Sequence, residues 1–133
     1  MVVVEGQECQ ISEISGLNNV DFEDMEVQKY NKHHRAFIKI EDGCNNYCSY
    51  CTIILARGKS RSNSIENILE QVNIFTKLGI KEVVLTGIDI GQWGVDFSPK
   101  MSLIDLLKHI ENTDIVRYRL GSLNILELTD ELI

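Results

Sequence analysis

From residue 35 onward the sequence alternates short apolar runs with amphipathic stretches, and this ordering limits the possible folds more than any other feature. Ala36-Phe-Ile-Lys-Ile40 reads as a strand. Ile65, Ile68, Leu69, Val72, Phe75 and Leu78 then recur at helical spacing until Gly79, with Asn63 as the expected cap and Glu66 three residues behind it. Lys81 to Thr86 is a second, mostly apolar strand, followed by a loop from Gly87 to Lys100. Ser102 caps a second helix with Leu103, Leu106, Leu107 and Ile110 on its inner face. Ile115 to Leu120 is a third strand, and Thr129-Asp-Glu131 looks like another helix start. Strands separated by helices are joined by crossovers and run parallel, as in a (β/α) barrel or an open doubly wound sheet. Three strands close no barrel. The expected fold class is therefore α/β, parallel strands of an incomplete barrel or an open sheet behind an irregular acidic segment, and the chain is expected to be a fragment.

The first strand runs into Glu41-Asp-Gly-Cys-Asn-Asn-Tyr-Cys-Ser-Tyr-Cys51, where Cys44, Cys48 and Cys51 form a C-x3-C-x2-C array. Three thiolates this close together can hold one iron–sulfur cluster and leave one iron without a protein ligand. The same spacing suits zinc, with a fourth protein ligand for a structural site or a water for a catalytic one. In α/β barrels functional groups gather on loops at the carboxyl ends of strands. The cysteine loop, Gly87 to Gly94 and Gly121 to Asn124 occupy those places and face one cavity.

Composition sets the compartment and the partners. With 133 residues, 44% of them hydrophobic, and a single proline, the chain has the profile of one soluble globular domain. No apolar run is long enough to span a bilayer, and the amino terminus lacks a secretion-signal design, so a cytoplasmic location is expected. Three of four cysteines crowded into eight residues then point to a metal rather than to disulfides, leaving Cys9 over. The net charge of −7 is concentrated in residues 1 to 30, which hold seven acids and one base. The remaining residues hold 13 acids and 12 bases, a nearly neutral body with local basic patches. Such a balance argues against strong non-specific nucleic-acid binding by this chain alone. His33 and His34 are either metal ligands or a polar lead-in to the first strand.

Arg35 through Cys51, followed by Ala56-Arg-Gly-Lys-Ser-Arg-Ser62, resembles the radical S-adenosylmethionine domain of the tRNA methylthiotransferases. The resemblance continues through Val83-Val-Leu-Thr-Gly-Ile-Asp-Ile-Gly91 to Arg119-Leu-Gly-Ser-Leu123. It implies a protein with an amino-terminal cluster domain, a six-unit partial barrel and a carboxy-terminal RNA-binding domain. Residues 1–34 would be the remnant of the first with its linker, and 35–133 the first half of the second. A 4Fe–4S cluster would be held by Cys44, Cys48 and Cys51. An electron donor would reduce S-adenosylmethionine on the open iron, and the resulting 5′-deoxyadenosyl radical would take hydrogen from C2 of an adenosine beside the tRNA anticodon for methylthiolation. Gly87-Ile-Asp-Ile-Gly-Gln-Trp-Gly94 looks more like the branch acting on threonylcarbamoyladenosine than the isopentenyladenosine branch.

The same resemblance suggests roles for further residues. Tyr50 stands where an aromatic packs against adenine, with an ordinary loop-end aromatic as the alternative. Gly87 and Asp89 suit the methionine amino group, or are a loop glycine and a solvated acid. Ser122 is a candidate ligand contact. Arg57, Lys59 and Arg61 suit phosphates or the ligand carboxylate, or form a solvated basic turn. Trp93 suits either stacking on a nucleobase or packing at the barrel rim. The chain departs from the family pattern at Ile54, in place of proline, and at Asn124 and Ile125, in place of glutamate and proline. Near the amino terminus Gln7 replaces an auxiliary-cluster cysteine, with Cys9 two residues late. Cluster binding without turnover by this chain alone is the expectation, with a separate polypeptide supplying the missing domains. A zinc-binding module or an inactive remnant is the non-enzymatic alternative, and another radical S-adenosylmethionine activity on the same half barrel is the enzymatic one.

Overall fold

A computed structural model describes residues 21–23 and 35–133. Gln7, Cys9, His33 and His34 lie outside the described residues. The element order is β1 (Arg35–Lys39), β2 (Glu41–Asp42), α1 (Ile53–Arg57), β3 (Arg61–Ser62), α2 (Ile65–Lys77), β4 (Glu82–Thr86), a 3-10 turn (Ile90–Gln92), α3 (Leu103–Glu111), β5 (Arg117–Leu120) and a second 3-10 turn (Ile125–Glu127). The alternation resolves as an α/β fold: β1, β4 and β5 make one parallel sheet in that order, and β2 and β3 form a small antiparallel ladder.

Register explains the two faces of the parallel sheet. Ala36 lies beside Val83 and then Tyr118, and Ile38 beside Leu85 and then Leu120. Ala36, Ile38, Val83 and Leu85 are fully buried under Ile68, Val72 and Phe75 of α2 and Leu103, Leu106, Leu107 and Ile110 of α3. Each of these side chains larger than alanine contributes about 1.5–3 kcal/mol by leaving water. Side chains alternate along a strand, so the opposite face presents Phe37, half exposed, and a charged cluster. There Glu82 accepts from Arg119 Nε at 2.8 Å and Arg117 Nη1 at 3.4 Å, with Arg35 Nε at 3.7 Å.

Both long helices form where the apolar spacing places them, with one shift. Ser64, not Asn63, caps α2 by accepting from Asn67 N, because Asn63 is used inside the protein. Its N–H donates to Ile40 O at 2.8 Å and its Nδ2 to Lys39 O at 3.3 Å. Ser102 caps α3 in a capping box with Asp105. Strand β5 starts at Arg117 rather than at Ile115, and the stretch from Thr129 makes a single turn in which Leu132 N and Ile133 N donate to Thr129 O.

Candidate metal centre

The cysteine loop leaves β2, passes through α1 and returns as β3, so the two-stranded ladder Glu41–Ser62 and Asp42–Arg61 clamps its ends. Gly43 makes that clamp possible. Its φ is +92°, and a Cβ there would be driven into the Lys59 carbonyl, so only glycine lets the two arms of the loop close. Cys44 N donates to Gly58 O at 3.2 Å, and Cys51 N to Cys48 O at 3.0 Å. Cys44, Cys48 and Cys51 are free thiols that line one small cavity with Tyr47, Ile53 and Ile54. Among the described residues no three His, Cys, Asp or Glu side chains converge tightly enough to hold a single ion. Three thiols around one cavity, clamped at a strand end, are a donor set suited to a cluster that takes three cysteines.

Glu41 ties this loop to the next one. It is fully buried, and its Oε2 accepts from Ile88 N at 2.9 Å and Asp89 N at 3.0 Å while Oε1 accepts from Ser60 Oγ at 2.9 Å. A Cβ on Gly87 would come within 2.8 Å of Glu41 Oε2, so Gly87 is the glycine that admits this carboxyl. Burial pushes the Glu41 carboxyl up to about 7, against the lowering effect of its backbone and Ser60 hydrogen bonds, with nearby Asp42 adding to the rise.

An unfolded chain ionises Glu41 near 4.5 and the folded chain near 7, so Glu41 favours the fold below 4.5, and that preference disappears as pH rises to about 7. Glu41→Gln keeps an oxygen for the two amides and stays neutral. The variant is expected to hold its melting temperature better than the wild type between pH 5 and 8, by up to about 3 kcal/mol in stability. Parallel melting profiles for the two proteins would contradict the burial of this acid.

Asp89 sits at the centre of a second polar group. Its Oδ2 accepts from Asn46 Nδ2 at 2.6 Å and Gln92 Nε2 at 2.9 Å. Its Oδ1 is buried without an amide or hydroxyl donor among the described residues. Glu127 lies alongside: burial first, then a hydrogen bond shared with Asp89, raise its carboxyl to about 7. The Asn124 N–H, donating to Glu127 Oε2 at 3.2 Å, works in the other direction. Glu41, Asn46, Gln92 and Glu127 were not singled out in the sequence. For Glu127 a signal existed, because Asn124 with Glu127 three residues later is a capping-box pattern.

The other expected residues divide by environment. Tyr50 is 89% exposed, and contact with the Cys48 thiol raises its phenol. Ser122 is exposed and its carbonyl accepts from Ile90 N at 3.0 Å, tying the third loop to the second. The basic turn is organised around Asp42, whose Oδ2 lies 2.9 Å from Lys39 Nζ, 3.5 Å from Arg61 Nη2 and 3.7 Å from Arg57 Nη1. Arg61 is turned inward and also donates to Arg57 O, whereas Lys59 is exposed. Trp93 corrects the nucleobase expectation: it is 0% exposed, its Nε1 donates to Asn63 O at 2.9 Å, and its ring meets Phe97 edge-on at 5.2 Å. A ring enclosed in this way has no face to offer a base. A cavity of about 250 Å³ opens at the carboxyl ends of β1 and β4, lined by Phe37, Lys39, Glu41, Asp42, Arg57, Thr86, Gly87 and Ile88.

The family model described as the Radical SAM superfamily matches residues 38–123. Ribosomal protein uS12 methylthiotransferase RimO of Dictyoglomus thermophilum is 49% identical over 76 residues, covering 57% of this chain and 17% of that protein. Threonylcarbamoyladenosine tRNA methylthiotransferase MtaB of Thermotoga maritima is 43% identical over 101 residues, covering 74% and 23%. tRNA-2-methylthio-N(6)-dimethylallyladenosine synthase of Clostridium botulinum is 32% identical over 131 residues, covering 98% and 29%. The chain thus spans less than a third of the length of these relatives.

Proposed function

Since the chain belongs to the radical SAM superfamily, we propose that it is the cluster-bearing part of a methylthiotransferase, with residues 35–133 forming the opening half of its barrel. Cys44, Cys48 and Cys51 would hold the 4Fe–4S cluster. The observation that carries this reading is that the three thiols line one cavity at the carboxyl end of β1, clamped beside the loop that follows β4. When bound, the cluster and S-adenosylmethionine supply reductive carbon–sulfur cleavage and hydrogen abstraction, chemistry that no side chain performs.

The chain's own residues bind and orient. The 250 Å³ cavity carries both signs of charge, Lys39 and Arg57 against Asp42, together with the buried Glu41 carboxyl and the apolar ring of Phe37. That combination suits a zwitterionic amino acid attached to a nucleoside. Arg57 would take the carboxylate, and Gly87 and the backbone of the β4 loop the amino group, with Asp89 behind it. Tyr50 would lie against the adenine, and Ser122 close the third side. Lys59 is the outward-facing cation for a substrate phosphate, and an external electron donor would serve the cluster.

The substrate favoured here is a tRNA adenosine bearing the N6-threonylcarbamoyl group, supported by the 87–94 segment and by relatives named for that reaction. Relatives named for ribosomal protein uS12 match as well, so the two are compared directly. Anaerobically loaded, dithionite-reduced protein is expected to release 5′-deoxyadenosine from S-adenosylmethionine by uncoupled cleavage, without methylthiolating tRNA unaided. It is also expected to retain tRNA bearing threonylcarbamoyladenosine in preference to uS12. Preference for uS12 would overturn the substrate assignment, and absence of 5′-deoxyadenosine would overturn the reaction class.

A further inference from the structure

Gln92 is a buried amide whose two ends are both committed. Its Oε1 accepts from Asn45 N at 2.9 Å, and its Nε2 donates to Asp89 Oδ2 at 2.9 Å, so turning the amide over would set oxygen against carboxylate and N–H against N–H. The second proton of Nε2 is left for Cys44 Sγ, 3.7 Å away. Asn46 N donates to the same sulfur at 3.4 Å. Cys44 therefore receives two N–H donors, while the neighbour of Cys48 is the Tyr50 hydroxyl. Gln92 comes from the 3-10 turn after β4, and Cys44 from the loop after β2, so this contact couples two strand-end loops.

Resting on the cluster reading above, we propose that Gln92 is a positioning residue for the metal centre: it pins Cys44 and, through its N–H, favours the cluster's reduced state. Hydrogen bonds to ligand sulfurs draw electron density from the iron and stabilise the more negative charge state, which raises the reduction potential. Asp89 serves this arrangement by fixing the Gln92 amide, with Asn46 Nδ2 on the same oxygen at 2.6 Å. The ligating loop is thereby held by a residue 48 positions further along the chain.

The test is an EPR-monitored potentiometric titration of anaerobically loaded wild type and Gln92→Leu, with iron and sulfide measured on both. The variant is expected to carry a cluster with a more negative midpoint potential and to release it faster to a chelator. A second measurement needs no variant. Wild type labelled with 15N at glutamine side-chain amides is expected to show a weak 15N coupling to the reduced cluster. The other glutamine among the described residues, Gln71, is on α2. Equal potentials in two cluster-bearing proteins, or no 15N coupling in the wild type, overturn this inference alone. A wild type that takes up no iron and sulfide overturns the cluster reading and this inference together.

Discussion

Anaerobic reconstitution of Cys51→Ala is expected to leave the protein with iron and sulfide at least about tenfold below the wild type, since even loss of an outer partner to a metal ligand costs that much. Two thiolates cannot grip a cluster that takes three. The fold should survive, because the Cys51 side chain is exposed and the bond that shapes the turn there runs from its backbone N to Cys48 O at 3.0 Å. Circular dichroism and melting temperature of the metal-free variant are therefore expected to match those of the metal-free wild type. A variant that retains full iron and sulfide would remove Cys51 from the ligand set.

Trp93→Ala acts on a different link of the same chain, packing rather than chemistry. Removing a large, fully enclosed aromatic costs about 3–5 kcal/mol, a large share of the 5–15 kcal/mol that holds a typical domain together. The Asn63 carbonyl also loses its indole donor, and Asn63 is the residue that ties the start of α2 to the end of β1. Chemical denaturation is expected to show that loss, with Trp93→Phe losing less. If Trp93→Ala melted like the wild type while losing RNA binding, the ring would have to be returned to the surface as a stacking platform.

The sequence disclosed those parts of the fold that rest on local repetition. The apolar residues from Ile65 to Phe75 and from Leu103 to Ile110 recur every three or four positions, so the helices could be placed without knowing what they pack against. The parallel order of β1, β4 and β5 followed from the helices between them. The cysteine loop was legible because three thiols in eight residues is itself a chemical statement. What stayed hidden depends on residues far apart in the chain. The β2–β3 ladder is built from Glu41, Asp42, Arg61 and Ser62, a short polar set with no period to read. Glu41 reads as a surface acid until the amides of Ile88 and Asp89 are seen closing on it. Gln92 reads as an ordinary loop residue until its two partners fix the direction of its amide. Trp93 had two equal readings, and only its enclosure between Asn63 and Phe97 chooses between them.

Glu41, Asp89 and Gln92 all hold the cysteine loop, through Ser60, Asn46 and Asn45, and the cluster that loop would carry can be tested directly. Wild-type protein loaded with iron and sulfide under anaerobic conditions, then examined by Mössbauer spectroscopy with metal and sulfide analysis, is expected to show one 4Fe–4S cluster per chain, and addition of S-adenosylmethionine is expected to perturb one iron site. Stoichiometric zinc with no sulfide, or a cluster spectrum indifferent to S-adenosylmethionine, would contradict the account.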